Sequence, residues 1–122
     1  MIKYTDAFVT LAAADSTVLV NFYRQLLGKE PHPHIPNVYA EFRLSGLRLG
    51  IFQPRADRQS EFADSTQSGM SLCLEVEDLE AVIAHLTQIG ASPPGKMTVA
   101  SHGREIYAYD PAGNRLILHQ SP

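Results

Sequence analysis

The chain has 122 residues, of which 44% are hydrophobic and 19% charged, enough apolar material for a buried core in a single globular domain. A net charge of −3 gives no basic footprint for nucleic acid, and no apolar run is long enough to span a membrane. The single cysteine, Cys73, excludes an intrachain disulfide. With no signal-like start, it suits a reducing, cytoplasmic setting.

The first predicted element is a strand in AFVTLAA. Val9 and Leu11 alternate with Phe8 and Thr10 across its two faces. A helix follows in DSTVLVNFYRQLLG, with Asp15 or Ser16 as the cap. Leu19, Phe22, Tyr23 and Leu26 form its apolar stripe, and Gly28 is its stop. Next comes HPHIPNVYAEF, an irregular stretch in which Pro31, Pro33 and Pro36 argue against a long strand. His32 and His34 there read as exposed imidazoles on a stiff loop rather than as a metal clip. VYAEFRLSGLRLGIFQP then gives two strands around a turn at Ser45-Gly46.

After a polar stretch without periodicity, RADRQSEFADSTQS, the same order returns. GMSLCLEV alternates, with Leu72, Leu74 and Val76 on one face. EDLEAVIAHLTQIG is a helix capped by Asp78 and stopped by Gly90. ASPPGKMTVASHG is a short third element. REIYAYDPAGNRLILHQ is again strand, turn, strand. GLRLGIFQ aligns with GNRLILHQ without a gap, placing Arg48 on Arg115, Leu49 on Leu116 and Gln53 on Gln120. The chain is therefore written twice: a first module over about 1–54, a linker over about 55–68 and a second module over about 69–122.

Two stretches in this doubled chain resemble a known family. DSTVLVNFYRQLLG and HGREIYAYDPAGNRLILHQ are similar to segments of the glyoxalase/bleomycin-resistance/dioxygenase superfamily, the vicinal oxygen chelate proteins. The resemblance runs from Phe8 to Gln120. It implies an α+β fold of two tandem βαβββ modules whose sheets curl into a cup, with helices outside. It also implies a homodimer as the working form.

The resemblance assigns strand faces. Val9, Leu11, Leu49, Ile51, Leu72, Leu74, Leu116 and Leu118 would face the helices. The opposite side would carry the ligand-binding residues Arg48, Phe52, Glu75, Tyr107, Tyr109, Arg115 and His119, a wall suited to a small organic molecule. Tyr39, Glu41 and Arg43 alternate onto that side too. Metal-using relatives place His, Gln or Glu at positions held here by Phe8, Gly50, Ser71 and Ile117. Three of these side chains offer no donor, and a lone hydroxyl is a poor ligand. No metal or other cofactor is expected there. A displaced site drawing on His119, Glu41, Glu75 and Cys73 is the less favoured alternative.

The expected function is metal-independent small-molecule binding of the bleomycin-resistance type. One alternative is a lyase, isomerase or dioxygenase using a displaced metal or an acid/base pair such as Glu75 with Tyr107. Another is a protein-interaction module. Arg48 and Arg115 either hold an anionic group or pair with Glu41, Glu75 or Glu105. Cys73 reads as structural, and His102 or Arg104 as either substrate-facing or solvent-exposed.

Overall fold

The computed structural model describes residues 1–122. The chain forms two compact units, Met1–Ala63 and Asp64–Pro122. The first contains β1 (Val9–Ala12), α1 (Ser16–Leu27), β2 (His34–Ile35), β3 (Tyr39–Leu44) and β4 (Leu47–Phe52). The second contains β5 (Leu72–Glu75), α2 (Leu79–Gln88), β6 (Thr98–Ala100), β7 (Gly103–Tyr109) and β8 (Arg115–Gln120). Each unit is thus a βαβββ module carrying a four-stranded mixed sheet, ordered β1-β4-β3-β2 or β5-β8-β7-β6. β1 runs parallel to β4 and β5 to β8, while the other pairings are antiparallel.

The prolines limit β2 to two residues, since proline gives no amide proton to a ladder. The polar stretch after β4 is the span read as an aperiodic linker. It winds into two 3₁₀ helices, Ala56–Phe62 and Ser65–Gln67, neither of which buries a residue. Such short i→i+3 turns need no apolar stripe, so hydrophobic periodicity could not announce them.

Register settles the faces. Leu49 and Ile51 of β4 sit opposite Val9 and Leu11 of β1 and opposite Phe42 and Ala40 of β3. In the second unit Leu116 and Leu118 sit opposite Leu72 and Leu74 and opposite Ala108 and Ile106. Leu49, Ile51, Leu116 and Leu118 have no exposed surface, and α1 packs on β4 as α2 packs on β8. The helix-facing side implied by the resemblance therefore holds for these four residues.

The helix starts share one device. Asp15 accepts from the Thr17 amide, and Asp78 from the Ala81 amide, each satisfying a donor left over in a first turn. A second acceptor comes from the last strand of each module. The Gln53 Oε1 takes hydrogen bonds from the Ser16 amide and hydroxyl, at 3.2 and 3.1 Å. The Gln120 Oε1 takes one from the Leu79 amide at 2.8 Å. Equivalent glutamines thus bind the first helical residue to the end of the strand beneath it. The DPAGN turn is held by Asp110, whose buried carboxylate accepts from the Ala112 and Asn114 amides and from the Asn114 side chain.

Candidate functional site

The face of each sheet opposite its helix carries the polar and aromatic residues. In the first unit Arg43 lies opposite Arg48, Glu41 opposite Gly50 and Tyr39 opposite Phe52. Like charges at Arg43 and Arg48 would repel, and Glu41 offsets them. Its side chain is 8% exposed, with Arg48 Nη1 at 3.7 Å and Arg43 Nε at 3.9 Å. Arg48 also pairs with Asp6 at 2.7 Å and lays its guanidinium over the Phe8 ring, 4.7 Å from the centroid. Tyr39 donates to Glu41 at 3.0 Å. Partial burial, then that bond and the Glu41 charge, push the Tyr39 phenol above its usual range, while Arg48 pulls the other way. Phe52 meets Phe62 edge to face, at 5.3 Å between centroids. Phe62 lies in the first 3₁₀ helix, where no spacing rule pointed to it.

In the second unit Glu75 and Glu105 flank His119 on its two neighbouring strands. In the same way Cys73 and Tyr107 flank Ile117, and Tyr109 lies opposite Arg115. Arg115 does not pair with a glutamate. It donates from Nε to the Ser71 hydroxyl at 2.7 Å and from Nη2 to the Ser68 and Met70 carbonyls at 3.1 and 3.4 Å. Glu75 lies against His119 rather than Tyr107, with Oε1 at 2.6 Å from the imidazole Nδ1. Its Oε2 accepts from the Ser121 amide and hydroxyl, at 2.9 and 2.7 Å. Those Ser121 bonds first, and then His119, hold the Glu75 carboxyl below its usual range. The bond to Glu75 in turn raises His119. In the alternative enzyme reading Glu75 pairs, as an example, with Tyr107; its contact in the structure is with His119. Ladder register explains it: Tyr107 sits one row away, beside Ile117.

His119 has a further partner that alternation missed. His102 precedes β7, and its Nδ1 lies 3.0 Å from the His119 Nε2. Arg104, by contrast, takes the helix-facing side opposite Gln120. It reaches Glu80 of α2, with Nη2 at 2.9 Å from Oε2, and Gln120 Oε1 at 2.9 Å. To the two readings of Arg104, substrate-facing or solvent-exposed, the structure adds a third: it ties β7 to the start of α2. Strand parity carried the signal, because Glu105 and Tyr107 face the other way.

The positions where metal-using relatives keep ligands do not fit an ion. Phe8 and Ile117 have no donors. A Cβ built on Gly50 would stand 2.6 Å from the Tyr39 hydroxyl oxygen and 2.9 Å from its ring. The Tyr39 side chain therefore occupies the space a ligand at position 50 would need. The Ser71 hydroxyl is engaged by Arg115. No three His, Cys, Asp or Glu side chains are grouped to hold an ion elsewhere. No helix is long and apolar enough to cross a membrane.

Tandem βαβββ modules, each with one helix on a sheet of order first-last-third-second, define the architecture of the vicinal oxygen chelate class. The chain belongs to the glyoxalase-like domain family, whose profile matches residues 8–119. Solved structures with the same fold include a glyoxalase/bleomycin resistance protein from Catenulispora acidiphila. It is 27% identical, with a TM-score of 0.70 over 98% of this chain and 100% of that one. A bleomycin-binding protein from bleomycin-producing Streptomyces verticillus, complexed with copper(II)-bleomycin, is 24% identical. Its TM-score is 0.66, with 100% of both chains covered. A bleomycin resistance determinant encoded on transposon Tn5 is 21% identical, with a TM-score of 0.68 over 96% of this chain and 98% of that one. No curated protein matches the sequence.

Proposed function

We propose that the chain binds a small organic molecule through the strand faces opposite its helices, with no metal at the positions used by metal-dependent relatives. Binding itself is the function on this reading. The carrying observation is the set of aromatic rings left in solvent on those faces. Phe8 is 48% exposed, Tyr107 47% and Tyr109 38%, although a sheet face with no partner is ordinarily polar. Phenol rings stack on flat ligands and donate a hydrogen bond at one end. Arg115 supplies positive charge free of carboxylate partners, and Arg48 supplies guanidinium donors shared with Asp6 and Glu41, each in its own module. Phe52, Glu75 and His119 complete the proposed contact set. Structural relatives crystallised with bleomycin support a small organic molecule as the ligand. On this reading the chain acts as a homodimer in the cytoplasm, with Cys73 reduced.

Isothermal titration with bleomycin and with a small set of flat carboxylates and phosphates tests the proposal. Saturable binding is expected, with the ligand recovered unchanged. The Arg48→Ala/Arg115→Ala double variant should bind at least about tenfold more weakly, which corresponds to losing roughly one charge-assisted contact. Equal affinity in parent and double variant would remove the arginines from the site. Light scattering showing only monomer would remove the dimer.

A further inference from the structure

The geometry points to a proton relay, Glu75–His119–His102, that gives the second module a general-base activity toward flat carbon acids, a turnover function beyond ligand binding. The relay is a built constellation. Glu75 is fixed at one oxygen by two hydrogen bonds from Ser121, which leaves the other oxygen aimed at His119 Nδ1. That contact selects the Nδ1–H tautomer of His119 and leaves Nε2 as an acceptor. The facing nitrogen is His102 Nδ1 at 3.0 Å. The two ring centroids are 5.2 Å apart and the ring planes differ by 22°. With the centroids that much further apart than the nitrogens, the rings meet edge to edge along the N–N line. This is the geometry of an N–H···N hydrogen bond, not of face-to-face stacking.

The neutral relay therefore has one arrangement of protons. His119 Nδ1–H donates to Glu75, His102 Nδ1–H donates to His119 Nε2, and the lone pair of His102 Nε2 is free. His102 is exposed, and its Nε2 has no partner within the chain. The approach of the His102 loop depends on Gly103, which adopts φ +125° in close contact with the Gln120 carbonyl. A side chain there would collide with β8, so the glycine lets the loop bring one imidazole to the other.

The step balances within these groups. His102 Nε2 takes the proton from the substrate carbon, and the electron pair of the broken C–H bond stays with the substrate. His102 Nδ1 passes its own proton to His119 Nε2. The positive charge then rests on a His119 imidazolium between Glu75 and Glu105 on its two neighbouring strands, with the His102 carbonyl also placed to accept from it. His102 is the catalytic residue, and His119 and Glu75 are positioning residues. Tyr107 and Tyr109, on the same strand face, offer the exposed rings against which a flat substrate lies.

The probe is 5-nitrobenzisoxazole, a flat carbon acid. Removal of its ring C–H proton breaks the N–O bond and releases a coloured cyanonitrophenolate, with no co-reactant. The full-length protein should accelerate this elimination above buffer. His102→Ala should lower the rate by about tenfold or more, at the low end of general-base contributions. The rate should rise with pH through a limb above the ordinary histidine value, because Glu75 raises His119. Glu75→Gln should move that limb to lower pH and reduce the plateau, a shift that a merely structural role for Glu75 would not produce. Nitrogen-15 spectra of the imidazoles should show both neutral rings as Nδ1–H tautomers. Unchanged turnover in His102→Ala would overturn the proposal. So would a pH limb unmoved by Glu75→Gln, or two independent Nε2–H tautomers. None of these outcomes depends on whether bleomycin binds.

Discussion

The two modules keep the same skeleton and differ in how they fill it. Leu49 and Leu116 hold equivalent, fully buried places, and Gln53 and Gln120 tie equivalent helix starts. The first module builds its core with rings. Tyr23 is buried between Phe22, 5.1 Å away edge to face, and Phe42, 6.4 Å away. The second uses Leu79, Leu86, Ile106, Leu116 and Leu118, with no buried aromatic. α1 buries five residues and α2 buries two. α2 also holds its first turn through the ion pair of Arg104 with Glu80, whereas the ion pair on α1, Arg24 with Glu30, lies at its last turn. Positions that close the fold are repeated. Positions on the open strand faces have diverged, from a Glu41-centred arginine cluster to a Glu75–His119–His102 line. A repeat thus marks what architecture requires and leaves chemistry to vary.

The largest expected effect tests the core difference. Phe42→Ala should cost about 3–5 kcal/mol, and more than Leu118→Ala, because a ring in contact with Tyr23 leaves the larger cavity. Urea denaturation monitored at equilibrium measures both. Equal losses would mean that the aromatic core confers no added stability on the first module.

A smaller effect sharpens the shared device. Gln53→Ala and Gln120→Ala should each destabilise by about 1–2 kcal/mol, the range for losing a helix-start acceptor. Gln53→Ala strands the Ser16 amide and hydroxyl. Gln120→Ala strands the Leu79 amide, and Arg104 keeps Glu80. A loss in only one module, read from the same denaturation curves, would break the equivalence.

The smallest effect is electrostatic and confined to the second module. Arg104 holds the Glu80 carboxyl at about 2, well below its ordinary 4.5. A folded-state value below the unfolded one means stability that is present above pH 4.5 and fades as pH falls toward about 2. Glu80→Gln should flatten the acid limb of the stability profile across that window. The pair is solvent-facing, so high salt should erase much of the difference. A profile unchanged by Glu80→Gln would show that the pair does not hold in solution.

The architecture was legible because it rests on local rules. Alternation placed Leu49, Ile51, Leu116 and Leu118, and turn and cap chemistry placed Asp15, Asp78 and Asp110. Gln53 aligned with Gln120 in the sequence, yet its role was invisible, because it acts on a helix start many residues earlier in the chain. The site was legible only as a face. Alternation put Glu75, His119 and Tyr107 on one side, but ladder register paired Glu75 with His119. His102 arrived from a loop, where no period applies. Arg104 was open to misplacement because β7 begins at Gly103, before the apolar alternation becomes visible.

The Tyr39 ring above Gly50 also constrains the order in which this chain could change. A donor at position 50 begins with a Cβ, and that carbon meets the Tyr39 hydroxyl at 2.6 Å. Placing a ligand there by one substitution would force the Tyr39 side chain to move before it produced any affinity. Shrinking Tyr39 first would take away the hydroxyl that donates to Glu41, whose carboxylate is 8% exposed and sits between two arginines. Either first step is penalised on its own, so a metal donor at position 50 calls for two coordinated substitutions. The pair Tyr39 and Gly50 acts as an interlock: neither residue changes freely while the other stays.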